Sequence, residues 1–356
     1  MTSSSLASTP SVDTVVIGAG QAGLAAAYYL QRAGVDFVVL DEQPAVGQVW
    51  ASRYDSLRLF SPAWVSSLPG LSWPGNPLRY PTKAETAAYL QQYAAYFNFP
   101  LHLQQRVEQV TAVAGGYDLL TAAGHRYRAQ RVVVCTGPFS APRIPDFAPD
   151  LASGIEQLHS SRYQRPTQLP GTGPVAVVGS GNSALQIAAD LAATGRPVYA
   201  CYQETTPALP NNTAMWAFLM GSGLLRTSRH SALGRRLLAR PEPVVSADLA
   251  RLRRFANVQF IGRARCVLDG NKLQGESGDS APLQGVVWAT GYRPDFGWLQ
   301  VPVLGEDGLP RHHRGVSEAP GLAFLGLPWL NSRRSALMGG AGADARYVVE
   351  QLLKST

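Results

Sequence analysis

The feature that most constrains this chain is a glycine turn lodged between two short β-branched runs. Asp13-Thr14-Val15-Val16-Ile17 leads straight into Gly18-Ala19-Gly20-Gln21-Ala22-Gly23. An alanine-rich stretch follows from Leu24 to Arg32, and Phe37-Val38-Val39-Leu40 then ends at Asp41-Glu42. Near-continuous aliphatic runs of this length are the pattern of strands buried on both faces of a parallel sheet. The alanine-rich stretch reads as a helix, with Gly34 as its stop. Strand, turn, helix and strand within about 30 residues make a βαβ unit. The G-x-G-x-x-G spacing has a mechanical meaning: the first glycine permits the tight turn, the second lets the backbone approach a pyrophosphate, and the third lets helix and strand pack closely. The helix N-terminus presents free N–H groups to the phosphates. Asp41 stands near the ~20-residue distance at which an acid reaches a ribose hydroxyl, and Glu42 beside it can take the same role. The predicted cofactor contacts are therefore Gly18, Gly20, Gln21, Gly23 and Asp41 or Glu42. The alternative is a tight turn that holds nothing.

The plan recurs. Val175 to Val178 is a strand, Gly179-Ser180-Gly181-Asn182-Ser183-Ala184 a second turn, Leu185 to Ala193 a helix stopped by Gly195, and Val198 to Tyr202 the next strand, followed by Gln203-Glu204. Two further strands echo each other, Arg131 to Val134 running into Thr136-Gly137 and Gly285 to Trp288 running into Thr290-Gly291. A Pro/Gly-rich stretch, Arg165 to Pro174, reads as a domain crossing. Beyond Leu304 come a strand at Ala323 to Gly326, a glycine-rich turn at Gly339 to Gly342 and a helix from Asp344 to Leu353. The expected fold class is α/β with two Rossmann-like dinucleotide-binding domains. Two such sites in one chain imply two cofactors that exchange electrons, a tightly held flavin and a diffusible nicotinamide.

Composition sets limits. The chain has 356 residues, 46% hydrophobic and 15% charged, enough to bury a large core. No apolar run reaches the ~18 residues of a membrane helix. Met1 to Asp13 is Ser/Thr-rich and reads as a frayed tail rather than a leader. The three cysteines, Cys135, Cys201 and Cys266, form no C-x-x-C pair. That excludes a disulfide scaffold, a local zinc site and a close redox dithiol, and makes the reducing cytoplasm the expected compartment. His102, His125, His159, His230, His312 and His313 show no ligand spacing with acids, so no metal is expected; His312-His313 reads as a solvent-facing loop. Part of the net charge of +7 lies in a run of arginines from Arg226 to Arg254. Without a nucleic-acid motif the run reads as a solvated helical surface, or as a field that draws in an anionic cofactor.

Gly18 to Gly23 with Asp41, Gly47-Gln48-Val49-Trp50, Ser56-Leu57-Arg58-Leu59-Phe60, His159-Ser160, Gly179 to Ala184 and both Thr-Gly segments run through nearly the whole chain. Together they resemble the two-dinucleotide-binding flavoproteins and, within them, the short bacterial flavin-containing monooxygenases. The resemblance implies an FAD domain of residues 1–165 and 300–356, with an NAD(P)H domain of residues 166–299 inserted into it. The related disulfide reductases carry a cysteine pair beside the flavin; none is present here, so thiol–disulfide chemistry is not expected. The family's linker motif is represented by Phe147, Gly154, His159 and Tyr163 at wider spacing and without tryptophan, a departure from type I Baeyer–Villiger enzymes. His159 reads either as a catalytic group or as a hydrogen-bonded histidine at the domain crossing.

The cycle that the resemblance implies passes hydride from NADH or NADPH to the flavin, forms a C4a-hydroperoxide with dioxygen, and oxygenates a thioether or amine, with ketones as further substrates. The protein must keep water from that intermediate. Gln48 and Trp50 are expected to cover the flavin. Phe60 and Asn331 are the nominated catalytic-pocket residues, Phe60 supplying an apolar wall; Trp50 and Phe60 also read as core aromatics. The N–H groups of Gly339 to Gly342 would face the flavin, or form an ordinary turn. Thr136, Gly137, Gly179, Gly181, Asn182, Ser183, Thr290 and Gly291 complete the expected cofactor contacts. Enzymes selective for NADP place an arginine just after the second strand of the site. Here Gln203 and Glu204 stand there, and a carboxylate repels a 2′-phosphate. NADH is thus expected to serve as well as NADPH, unless Arg226 or Arg229 supplies phosphate binding. The expected partners are a small apolar substrate and dioxygen, with no nucleic acid and no membrane; a homodimer is compatible with this reading. The alternatives are an NAD(P)H oxidase or electron-transfer flavoprotein, and a redox-regulatory flavoprotein that oxygenates nothing.

Overall fold

The computed structural model describes residues 11–354. Most of the expected N-terminal tail, Met1 to Pro10, lies outside the described residues. Its last three positions are not tail, because the first strand already begins there, at Ser11–Ile17.

Two sheets organise the chain. The larger has ten strands, seven of them in the order Leu299–Gln300, Val107–Val113, Gly116–Thr121, Arg126–Val134, Ser11–Ile17, Phe37–Leu40 and Leu101–His102. Its centre is parallel: Val15 stands opposite Val38 on one side and Val132 on the other. These strands are buried on both faces, which is why they read as unbroken aliphatic runs. Leu322–Phe324 joins the same sheet beside Arg126–Val134. The helix Gln21–Arg32 packs against the C-terminal helix Ala341–Leu352.

The smaller sheet is parallel throughout, in the order Val258–Phe260, Val198–Cys201, Val175–Val178, Gly285–Trp288 and Glu156–His159. The helix Asn182–Ala192 packs on the helix Ser246–Leu252.

Between the sheets, Ala141–Pro142 pairs antiparallel with Tyr292–Arg293, so both chain crossings run side by side. This differs from the boundary expected at 165/166. Glu156–His159 already belongs to the smaller sheet, and Arg165–Pro174 connects two of that sheet's own strands. That stretch is fastened by Arg196, which donates to the carbonyls of Gly173 and Leu169, each at 3.0 Å. The chain returns through Tyr292–Arg293, and Leu299–Gln300 pairs with Val107–Val113 in the larger sheet.

Candidate active site

The two glycine turns are built alike. Gly18 has φ +106°, in the range where a side chain is strained, and a Cβ there would lie 2.7 Å from the Cys135 carbonyl oxygen. A Cβ at Gly23 would lie 1.8 Å from the Gly18 oxygen, so only glycine lets helix and turn approach this closely. Around Gly20 the situation is reversed: a Cβ would meet nothing within 4 Å. The second turn repeats this. A Cβ on Gly179 (φ +147°) would lie 2.2 Å from the Ala289 oxygen, while Gly181 faces open space. Ala184 fills the third position and is buried. In each turn the first and third positions serve packing, and the central glycine leaves room beside the N–H groups of a helix start. That is the shape a pyrophosphate requires, so the residues fit a dinucleotide at both turns.

Asp41 faces the first turn. Its carboxylate accepts the Ala19 N–H at 2.5 Å and the Gln43 N–H at 2.8 Å, while burial raises its pKa above the usual carboxylate range. Glu42 is exposed and accepts from the Gln43 side-chain amide at 3.1 Å. Of the two acids, Asp41 is the one against the glycine loop. Gln21 opens the following helix. Thr136 and Gly137 leave the strand beside it, where the Cys135 N–H donates to Ile17 at 2.8 Å. The Cys135 and Cys201 thiols are buried, and burial raises both, to about 12 for Cys201.

At the second turn Asn182 and Ser183 have distinct neighbours. The Asn182 carbonyl Oδ1 accepts the Val245 N–H at 2.8 Å. Ser183 Oγ lies 3.4 Å from the Tyr54 hydroxyl, which also donates to Gln186 Oε1 at 3.0 Å. The Gln203 N–H donates to Ser180 Oγ at 2.8 Å. Glu204 is not free: Arg253 Nη2 stands 2.5 Å from its Oε2. The arginines weighed for phosphate binding lie elsewhere. Arg226 ends a short 3-10 turn, and Arg229 donates to the Trp329 carbonyl at 3.3 Å.

The segment Gln48–Ala51 joins these sites. It is a single helical turn entered through Gly47, which has a left-handed backbone and where a Cβ would lie 2.7 Å from the Ala87 carbonyl oxygen. Trp50, half-buried, packs against the cores of both units. Arg53 and Tyr54 follow. Arg53 hydrogen-bonds the Tyr292 hydroxyl and lies over the Phe139 ring at 5.8 Å, at the paired crossings. Tyr54 is buried in the smaller unit's core, and burial pushes its hydroxyl up to about 12, so it remains a proton donor. Sequence reasoning missed both residues, although they stand directly behind the Gly47–Trp50 motif.

The Thr-Gly segment at the return crossing serves structure. Thr290 hydrogen-bonds the Arg143 carbonyl, and the Gly291 oxygen accepts from the Arg143 N–H at 3.0 Å and pairs with His159 Nε2 at 2.9 Å. His159 is buried with the Tyr292 ring perpendicular to it at 4.9 Å, and burial lowers its pKa. Both its nitrogens have partners, Nδ1 pairing with Ser161 Oγ at 2.9 Å, so of its two readings the structure favours the hydrogen-bonded histidine at the crossing.

Phe60 is 39% exposed, so it is not a core residue, and its ring stacks on Trp216 at 6.4 Å. Trp216 clusters with Val65, Leu225 and Leu337. The carbonyl of Asn331 accepts the Arg229 N–H at 2.9 Å, and its N–H donates to Ser335 Oγ at 3.2 Å. Phe60 thus packs against a helix that sequence reasoning missed, Thr213–Gly221, whereas Asn331 is tied to Arg229 and Ser335. The helix's signal was available in Ala-Met-Trp-Ala-Phe-Leu-Met, which has no polar face, although in the structure Trp216 alone of the helix is buried and Phe218 is 62% exposed. The glycine-rich turn differs from expectation. Met338–Gly340 forms a 3-10 turn, the helix begins at Ala341, and Gly339 and Gly342 make room for Val65 and Pro69.

The histidine pair is not a free loop. His312–His313 forms a short antiparallel strand with Val316–Ser317, and His313 stacks on His230 at 5.9 Å beside a cleft of about 660 Å³. Among the described residues no group of three or more His, Cys, Asp or Glu is arranged to hold a metal ion, and no helix is long and apolar enough to cross a membrane.

Two dinucleotide turns, one at the parallel centre of a mixed sheet and one on a parallel sheet, bridged by one aromatic segment, define an oxidoreductase with two nucleotide sites. Comparison with known proteins gives the same answer. The family model described as pyridine nucleotide-disulphide oxidoreductase matches residues 15–215. A CzcO-like oxidoreductase of Geobacillus kaustophilus (strain HTA426) is 41% identical over 347 residues, covering 96% of this chain and 98% of the relative. The oxidoreductase CzcO of Bacillus subtilis (strain 168) is 36% identical, covering 96% and 99%. The solved structure of a flavin-containing monooxygenase from Stenotrophomonas maltophilia is 29% identical, with a TM-score of 0.80 over 97% of this chain and 99% of that one. The chain belongs to the pyridine nucleotide-disulphide oxidoreductase family, and within it to the CzcO-like oxidoreductases. It is an oxidoreductase of the flavin monooxygenase type, as its motifs had implied.

Proposed function

We propose that this protein is an FAD-dependent, NAD(P)H-consuming monooxygenase that transfers oxygen to soft nucleophiles such as thioethers and amines. The single observation that carries the reading is the pairing of two open central glycines, Gly20 and Gly181, at turns linked through Trp50 and Tyr54. FAD belongs on the larger unit, at Gly18–Gly23 with Asp41, and NADH or NADPH on the smaller, at Gly179–Ala184 with Gln203 and Glu204. When bound, the flavin supplies the redox chemistry, taking hydride from the nicotinamide and activating dioxygen. The balanced reaction consumes NAD(P)H, a proton, dioxygen and substrate, and yields NAD(P)⁺, water and the oxygenated product. The chain's own part is to hold the two nucleotides, to seat the substrate between Phe60 and the Asn331 segment, and to keep water out with Trp216 and Leu337. An apolar pocket of this kind favours small hydrophobic substrates.

The test is a coupling measurement. The purified protein is denatured to identify its released flavin by chromatography, and sulfoxide and hydrogen peroxide are quantified per NAD(P)H consumed with an alkyl aryl sulfide. FAD release with sulfoxide as the main product supports the reading. Peroxide as the sole product identifies an oxidase instead, and released FMN refutes the cofactor assignment.

A further inference from the structure

We propose that Arg253 adapts the second nucleotide site to both nicotinamides by exchanging partners. It holds Glu204 when the adenosine ribose carries free hydroxyls, and it takes the 2′-phosphate when one is present. The inference rests on the reading of that turn as the NAD(P)H site and deepens it.

Gln203 and Glu204 follow the strand Val198–Cys201, where a dinucleotide places its adenosine ribose. The bond from Gln203 N–H to Ser180 Oγ ties this chain end to the glycine loop itself. Neither residue is a cation. The cation comes from another element: Arg253 caps the helix Ser246–Leu252 and reaches Glu204 from there. Its guanidinium also lies over the Phe260 ring, 5.7 Å from the centroid, and Phe260 is set edge-on by Tyr202.

Three properties make exchange possible. The side chains are about half exposed, Arg253 at 50% and Glu204 at 55%, and an ion pair so exposed is weak and screened. Phe260 holds the guanidinium by its face, so the arginine keeps its place when the carboxylate leaves. The guanidinium fork suits phosphate as well as carboxylate. With NADH the pair stays intact, and Glu204, its charge compensated, accepts from the ribose hydroxyls. With NADPH the 2′-phosphate displaces the carboxylate, which turns into solvent. Arg253 thereby removes the repulsion that Glu204 alone would exert on NADPH.

The experiment measures binding rather than turnover. The flavin-loaded, full-length protein is titrated calorimetrically with NAD⁺, NADP⁺ and 2′,5′-ADP, in the parent and in Arg253→Ala, Arg253→Lys and Glu204→Gln. Arg253→Ala is expected to weaken NADP⁺ and 2′,5′-ADP by about tenfold while NAD⁺ stays within about twofold. Arg253→Lys should restore part of the loss, and Glu204→Gln should tighten NADP⁺. An Arg253→Ala protein with an unchanged NADP⁺ to NAD⁺ ratio would overturn the exchange and leave the nicotinamide site standing. A parent that binds neither nucleotide would overturn both. The two residues are on the surface, and matching melting curves verify that the variants fold.

Discussion

The hydroxyl of Tyr54 donates to Gln186 Oε1 at 3.0 Å, across the boundary between the two units. Tyr54 follows the turn that carries Trp50, whereas Gln186 lies on the helix that opens the second glycine loop. Together with Trp50, this buried side chain holds the two nucleotide sites in register. Tyr54→Phe should lower stability by about 1 kcal/mol, the usual net worth of such a bond. It should also slow flavin reduction by NAD(P)H without loss of flavin. Urea midpoints and stopped-flow bleaching near the flavin absorption maximum measure the two effects; unchanged bleaching would deny the tyrosine its aligning role.

Gly20 and Gly23 should respond differently to the same substitution. A Cβ at position 20 meets no protein atom within 4 Å, so a valine there should leave the fold intact while its side chain occupies the space where the pyrophosphate approaches. The expected product is a folded protein without flavin. Valine at position 23 would drive into the Gly18 carbonyl and destabilise the chain by about 1–3 kcal/mol or more. Flavin absorbance per protein and thermal melting separate the cases. A Gly20→Val protein that keeps its flavin would move the cofactor to another site.

Removal of the Phe60 ring should scarcely affect stability, because the ring is well exposed and a stacked pair is worth about 0.5–1.5 kcal/mol. Its effect should appear in coupling. Phe60→Ala removes the ring that stacks on Trp216, and if that pair walls the proposed substrate site the peroxide formed per NAD(P)H should rise at the expense of sulfoxide. A variant with parental coupling would show that Phe60 is not part of the pocket wall.

Stability should fall with acid in a window set by His312. Burial, reinforced by Arg229, His230 and His313, pushes its pKa down from 6.5 to about 4. Between those values the unfolded chain binds a proton that the folded chain refuses, so stability rises with pH across the window and is lost as pH falls through it. His159, also lowered by burial, adds the same sign. Asp41 and Asp344, whose pKa values burial raises, act in the opposite sense. The urea midpoint of His312→Gln should accordingly depend less on pH between about 4 and 6.5 than that of the parent.

The sequence revealed what lies at the centre of each sheet. Phe37–Leu40 and Val175–Val178 could be delimited to the residue, because burial on both faces leaves only aliphatic side chains there. Glu156–His159 was invisible for the converse reason. It is an edge strand with two exposed positions, and Glu-Gln-Leu-His carries no strand pattern, so the first crossing was set too late. At the site, the glycine turns followed from spacing, which left Asp41 and Glu42 as alternatives; the bond from the Ala19 N–H is what sets Asp41 against the loop. The pairs Arg253–Glu204, Arg53–Tyr292 and Phe60–Trp216 did not, since each joins residues that only the folded chain brings together.

The ribbon formed by Ala141–Pro142 and Tyr292–Arg293 has a topological consequence. The chain leaves the larger unit and re-enters it at adjacent points, with Ala141 opposite Arg293 and about 5 Å between facing backbones. Everything between them is a cassette whose two ends meet. Closely spaced ends are the condition under which one domain can be inserted into another without disturbing the host's strand order. The larger sheet can therefore be closed by a tight turn across that ribbon.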